Sequence, residues 1–331
     1  MNRRRIDYFL IFLVVIIGGI VWFGVEFGGR VWNNVRMGKN PNIIGTMDVS
    51  ELNLKKPRYQ ADIDVAGSVY DIRINDGPLL DDSEGHLMNT QVELNEWAQD
   101  GNNILSIELR PLPGEKNLPL EARITVAVTV RESGEGESDP HVIDTISFRD
   151  GVATADTWKN RPGGIPPRTK PIAGGGIRIE HDLPMHLTFA KWAWLNAPEI
   201  DNDDATIRSL MEETKRLHKI LVARDVDAWE TGLSELSRDL ETASYVPIGS
   251  MRDGMRQSHE KYLKDPQLQS PDPPEEDLDL TLYGGGRLAR LSSYGDPVLV
   301  LEDQKAHISV FFDYLFRRDA SGKWVISRIK H

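Results

Sequence analysis

The sequence predicts one amino-terminal transmembrane helix, then an all-β antiparallel sandwich, then an α+β domain in which helices precede a curved antiparallel sheet. Three observations carry this reading. Tyr8 to Val25 is an unbroken apolar run behind Arg3, Arg4 and Arg5. From Arg58 to Leu195, short segments alternate polar and apolar residues between turn residues, the period of half-buried strands. From Ala205 the apolar spacing becomes helical, and beyond Gly286 it returns to alternation.

The apolar run holds 18 residues. As a helix it reaches about 27 Å at ~1.5 Å per residue, enough to cross a bilayer core when Ile6 and Phe27 extend its ends. The arginines keep the amino terminus cytoplasmic and put the bulk of the chain across the membrane. A cleaved signal peptide would have a shorter apolar region and a small-x-small site. This run instead continues into Glu26, Phe27, Gly28, Gly29 and Arg30. The expected organisation is a cytoplasmic stub and anchor over 1–30, a tether over 31–56, a β-sandwich over 57–198 and an α+β domain over 199–331.

Net charge is −12 over 331 residues. The first 36 residues carry five arginines against Asp7 and Glu26, so the remainder stands near −15. An exterior of that sign repels phosphate backbones, which argues against nucleic acid as a partner. The chain has no cysteine, excluding disulfides, thiolate nucleophiles and Cys-ligated metals. An exported, cysteine-free protein on such an anchor suits the bacterial inner membrane with its bulk in the periplasm.

Within the β region, Tyr59–Ala66 and Val69–Asn75 are expected to pair as a hairpin across Gly67-Ser68. Further strands are expected at Thr90–Leu94, Asn103–Arg110, Glu121–Arg131, Val142–Phe148, Ile177–Glu180 and Met185–Leu195. The clearest covers Ala122–Val130, where Ile124, Val126, Val128 and Val130 share one face and Arg123, Thr125, Ala127 and Thr129 the other. Gly77–His86 and Lys159–Gly176 read as long Pro/Gly loops, the second basic, and Glu132–Asp139 reads as a solvated acidic turn.

Asn95-Glu96-Trp97 followed by Asp100-Gly101-Asn102-Asn103-Ile104-Leu105-Ser106-Ile107 resembles the turn and strand of galactose-binding-like β-sandwiches. That resemblance implies a sandwich, with Ile104, Leu105 and Ile107 entering its core. Trp97, and Trp192 with Trp194 on one face of the expected Met185–Leu195 strand, are candidate contacts for a carbohydrate or a partner protein.

A boundary falls at Asn196–Asp204, where Asp203 or Asp204 is placed to cap a helix. Helical stripes follow over 205–221 and 225–241, with a weaker one at Ser250–Leu263. An acidic, proline-rich crossing spans Asp265–Gly286. Strands are then expected at Arg287–Ser292, Val298–Leu301, Ala306–Arg317 and Trp324–Ile329. Helices followed by a meander ending in Phe311-Phe312-Asp313-Tyr314-Leu315-Phe316 and its return strand resemble the NTF2-like or SnoaL-like cone fold. That resemblance implies a curved sheet around helices, with a pocket in many members, and it transfers no site residues.

Candidate pocket or partner contacts here are Tyr283, Tyr294 and Tyr314. By parity Ile308, Val310, Phe312, Tyr314 and Phe316 face inward, and His307, Ser309, Phe311, Asp313 and Arg317 face solvent. No nucleophile elbow, zinc-binding helix, phosphate loop or dinucleotide fingerprint occurs, so no catalytic residue, metal ligand or cofactor is expected. The leading expectation is a non-catalytic, membrane-anchored binding protein of the cell envelope whose partner is another envelope or periplasmic protein. The alternatives are an enzyme with a small-molecule pocket in the cone-like domain and a carbohydrate-binding module in the sandwich.

Overall fold

The structure is a computed structural model that describes residues 52–134, 139–156 and 166–330. The anchor, the stub and the tether as far as residue 51 lie outside the described residues. So do 135–138 of the acidic turn and 157–165 of the basic loop. Among the described residues, no helix is long and apolar enough to cross a membrane. The described residues form a β-rich α+β fold, mostly antiparallel sheets with four helices. Contacts divide it into an N-terminal unit, ending at Trp192 and joined by Ala243–Tyr245, and a C-terminal unit of Ala193–Thr242 and Val246–Lys330.

The described residues of the N-terminal unit hold ten strands. These are β1 (Pro57–Ala66), β2 (Val69–Ile74), β3 (Gly77–Asp82), β4 (Met88–Glu93), β5 (Gly101–Arg110), β6 (Arg123–Glu132), β7 (His141–Arg149), β8 (Val152–Ala155), β9 (Arg168–Ile172) and β10 (Gly176–Met185). They form two five-stranded sheets, ordered β4-β1-β6-β7-β8 and β3-β2-β5-β10-β9. Alternation decides what each sheet buries. Tyr59, Ala61, Ile63 and Val65 of β1 and Ile124, Val126, Val128 and Val130 of β6 are all buried. From the second sheet, Tyr70, Ile72, Ile74, Leu105, Ile107, Leu109 and Ile179 are buried with them. Each such Val, Ile or Leu contributes about 1.5–3 kcal/mol. The two sheets meet through this core, where His181 Nε2 of β10 lies 2.7 Å from Asp144 Oδ2 of β7, both buried.

Several expectations need correction. β1 and β2 do not pair with each other. β1 lies between β4 and β6, β2 lies between β3 and β5, and Gly67 (φ 74°) with Ser68 carries the chain from one sheet to the other. The expected loop Gly77–His86 contains β3, because Asn75 and Asp76, both at positive φ, make a tight hairpin turn. Edge strand β9 forms in the expected basic loop. Its Pro171 is tolerated there because an edge strand has one unpaired side. Ile104 is 41% exposed, since only odd-numbered positions of β5 face the core. Met185–Leu195 is not a strand. β10 ends at Met185, and Ala193–Asn196 is a 3-10 turn.

The C-terminal unit begins with helix α1 (Asp204–Ala223), capped as expected by the Asp203 side chain on Thr206 N at 2.7 Å. The expected second stripe is two helices, α2 (Val226–Gly232) and α3 (Ser234–Ala243), broken at Leu233; α4 (Arg252–Leu263) follows. The sheet runs β11 (Leu278–Tyr283), β12 (Leu288–Ser293), β16 (Tyr314–Arg318), β17 (Trp324–Ile329), with the short β13 (Asp296–Pro297) on β12. Strands β14 (Val300–Asp303) and β15 (Ile308–Phe311) make a separate hairpin.

Strand β11 forms in the stretch read as an acidic crossing. The expected strand Ala306–Arg317 is two strands, because the chain leaves the β14–β15 hairpin at Phe312-Asp313 and joins a different sheet. Phe312, Tyr314 and Phe316 do face the core, and Leu315 is buried as well, outside that core cluster. Asp313 does not face open solvent; it holds Arg290 Nε at 2.6 Å.

Candidate functional site

The tryptophans expected to contact a ligand are buried. Trp97 is closed over by Gly77, whose position would put a Cβ 2.1 Å from the indole Cε3. Trp192 packs on Phe189, ring centroids 4.6 Å apart, and its indole N–H donates to Ala98 O at 2.8 Å. In the C-terminal unit Trp194 lies against Gly284, where a Cβ would come within 2.9 Å of Cζ3. None of the three offers a free face to a sugar ring, and all serve packing.

The three tyrosines do not converge. Tyr283 is buried at one end of the β11–β12 hairpin, paired with Leu288. Tyr294 is 74% exposed beyond its other end, in the Tyr294-Gly295 turn after the Leu278–Ser293 pair, and its hydroxyl donates to Asp277. At ~3.4 Å per strand residue these ends are roughly 17–20 Å apart. Tyr314 is enclosed by Trp229 and Phe312, at 6.0 and 6.2 Å between centroids. Burial, aided by the Glu230 carboxylate, pushes its phenol well above the ordinary tyrosine range.

An acid–base pair lies nearby. His259 Nδ1 of α4 is 2.6 Å from the buried Glu230 carboxylate of α2, and the imidazole meets Trp229 edge-on. Such a carboxylate orients a histidine, but a reaction also needs room for substrate beside it. Here Trp229, Leu233, Leu236, Phe312, Tyr314 and Phe316 join one continuous apolar core. Among the described residues, no group of three or more metal-ligating side chains converges.

The concave feature with chemistry on its walls lies on the outer face of the first sheet, a depression of about 760 Å³. Strand register builds it. Asn89, Asp64 and Thr125 stand side by side across β4, β1 and β6. One pleat further, Arg123 of β6 and Arg149 of β7 head neighbouring strands, just beyond the Ile124–Phe148 pair. The Asp150-Gly151 turn, both residues at positive φ, closes the β7–β8 hairpin and puts Asp150 at the lip. Leu87, 69% exposed, and Leu120, 84% exposed, complete the rim beside Glu121.

What distinguishes this depression is its charge. Among the described residues, the side chains of Asp64, Glu121, Arg123, Arg149 and Asp150 make no ion pair or hydrogen bond. Further along the same face, Asp62 is desolvated. Burial raises its carboxyl above the ordinary range despite the Gln91 amide, which donates at 2.8 Å, and the charge of Arg131.

On the outer face of the second sheet, most of the charges on β2, β5, β9 and β10 are matched. Arg73 bridges Asp71 and Asp76, Glu108 sits between Arg110 and Arg178, and Glu180 and Asp182 hold Arg168 and Lys170. Here the Arg168 guanidinium holds the Asp182 carboxyl below its ordinary range.

Parity alone marks Arg123 and Thr125 as outward. The convergence of Asp64, Arg123 and Arg149, from strands far apart in the sequence, was not to be found that way. No family model, curated protein or solved structure matches the chain.

Proposed function

We propose that this chain is a membrane-anchored, extracytoplasmic binding protein that holds another envelope protein at the outer face of β1, β4, β6 and β7. In this reading residues 8–25 anchor it in a bacterial inner membrane with the amino terminus cytoplasmic. The N-terminal unit is a recognition-type β-sandwich, and the C-terminal unit is a cone-like domain of the NTF2 type. The apolar run behind three arginines supports the address.

The observation that carries the binding role is the depression itself. Two exposed leucines rim five unmatched charges, while on the other sheet Arg73, Arg110, Arg168, Lys170 and Arg178 all lie against carboxylates. Uncommitted charge beside exposed apolar surface gains most when a complementary surface covers it.

The natural chain has no cysteine, so Leu120→Cys supplies a unique thiol for a short photo-crosslinker, and Thr169→Cys on the other sheet supplies the control. In intact membranes the crosslinker at position 120 is expected to give one discrete adduct, identified by mass spectrometry as an envelope protein, and position 169 none. The same adducts from both positions, or none from 120, would overturn the binding role. Failure of external protease to trim the bulk of the chain in opened cells would overturn the address.

A further inference from the structure

Resting on that binding role, we propose that the depression takes an extended segment of the partner protein in which an acidic and a basic side chain stand two residues apart, flanked by apolar residues. Arg123 and Arg149 project side by side from neighbouring strands, where like charges repel, and the fold gives neither a counter-ion. A carboxylate bridging both would relieve that repulsion through charge-assisted hydrogen bonds.

Asp64 stands one strand away from Arg123 and one pleat back, also without a cation, and Glu121 and Asp150 add two more carboxylates at the lip. A purely acidic ligand would meet these three carboxylates. A purely basic one would meet the two guanidiniums. A ligand of both signs satisfies the site.

The spacing fits a peptide in extended form. Neighbouring strands are about 4.8 Å apart and one pleat is about 6.8 Å, so Asp64 stands about 8 Å from Arg123 and about 10 Å from the midpoint of the two arginines. An i,i+2 pair is about 6.8 Å apart at the backbone, and its long side chains reach that span by splaying. The unpartnered hydroxyl of Thr125 lies on the floor between Asp64 and the arginines and the amide of Asn89 on the far side of Asp64, both able to meet backbone groups. Leu87 and Leu120 border it for the flanking apolar side chains. A volume of about 760 Å³ suits a short segment rather than a folded domain.

The test uses the full-length chain in detergent and three end-blocked, fluorescein-labelled peptides: Leu-Glu-Ala-Lys-Leu, Leu-Glu-Ala-Glu-Leu and Leu-Lys-Ala-Lys-Leu. By fluorescence anisotropy the mixed-charge peptide is expected to bind at least about tenfold more tightly than either single-sign peptide. Arg123→Gln combined with Arg149→Gln is expected to remove most of that affinity, and Asp64→Asn to bring the mixed peptide within about threefold of the acidic one. The peptide comparison on the unsubstituted chain stands whether or not a variant folds. Equal binding of all three peptides, or binding of none, overturns the inference. So does an arginine double variant of unchanged melting temperature that still prefers the mixed peptide.

The two proposals fail separately. A crosslinked partner at position 120 without peptide discrimination sinks the partner chemistry alone, and peptide discrimination without a crosslink sinks the envelope-protein reading alone.

Discussion

The two outer faces of the N-terminal unit come from the same kind of alternating strand, and both are rich in charge. On the face of β2, β5, β10 and β9, every carboxylate named above lies against a guanidinium or ammonium, with Glu108 between two arginines. The face of β1, β4, β6 and β7 also holds one matched pair, Arg58 with Glu93 at 2.6 Å, but in its depression five charges come together and none has a partner among the described residues. Matched charge on a sheet surface is solvated and inert. Unmatched charge on an exposed rim is satisfied by water, and it remains available to a complementary surface. The contrast teaches that a face should be read by its pairing, because composition alone does not separate the two.

Substitutions can break or sharpen this comparison. The largest effect belongs beneath both faces. Asp144→Ala strands the buried His181 imidazole and is expected to cost about 1–3 kcal/mol, read as a lowered denaturation midpoint. Next comes the matched face, where Glu108→Gln leaves Arg110 and Arg178 without their carboxylate. The expected loss is about 1–2 kcal/mol, at the lower end because both guanidiniums are partly solvated. If Glu108→Gln proved neutral while Arg123→Gln destabilised, the assignment of structural and uncommitted faces would be reversed.

Smaller, and opposite in sign on the two faces, is the response to pH. The raised carboxyl of Asp62 favours the protonated folded state. Its contribution is therefore present below the ordinary carboxylate range and lost as pH rises through the folded value. Asp62→Asn is expected to leave stability unchanged in acid and to raise it at neutral pH, by under about 1 kcal/mol. Asp182 is depressed, so its contribution is present at neutral pH and lost as pH falls through the folded value. Asp182→Asn should lower the melting temperature at neutral pH and not in acid. Melting curves of both variants across that range check the signs. The smallest effect is at the depression, where Arg123→Gln and Arg149→Gln should each change stability by less than about 0.5 kcal/mol, although together they remove most of the peptide affinity.

The fold was legible where strand alternation stood clear of its surroundings. Ile124 to Val130 announces both a strand and its buried face, and Asp203 announces a helix start; both hold. Strand β11 was hidden because Leu278, Leu280 and Leu282 follow a run of prolines and acids that reads as a loop. The break at Phe312-Asp313 was hidden because parity continues smoothly in sequence while the chain changes sheets. Trp192 and Trp194 read as a platform only while Met185–Leu195 was taken as a strand. Adjacency of Tyr59–Ala66 and Val69–Ile74 misled for a similar reason, since a two-residue link can cross between layers as readily as it turns a hairpin. The depression was illegible because its charges come together only through pairings such as Asp64 with Thr125, and a pairing partner leaves no mark in either segment.

That crossing at Gly67-Ser68 also governs the order in which the molecule can assemble. Pro57 is matched with Glu132 and Ile177 with Leu109, so neither layer closes from neighbouring segments alone. Topology of this kind folds slowly, because long loops must close before any contact rewards them. As the chain is synthesised from its amino terminus, the first strand has no inner neighbour until the sixth has emerged, and the second layer waits for the tenth. Until then the apolar side chains of β1 and β2 stand exposed, a window in which a chaperone would act and a protease would cut.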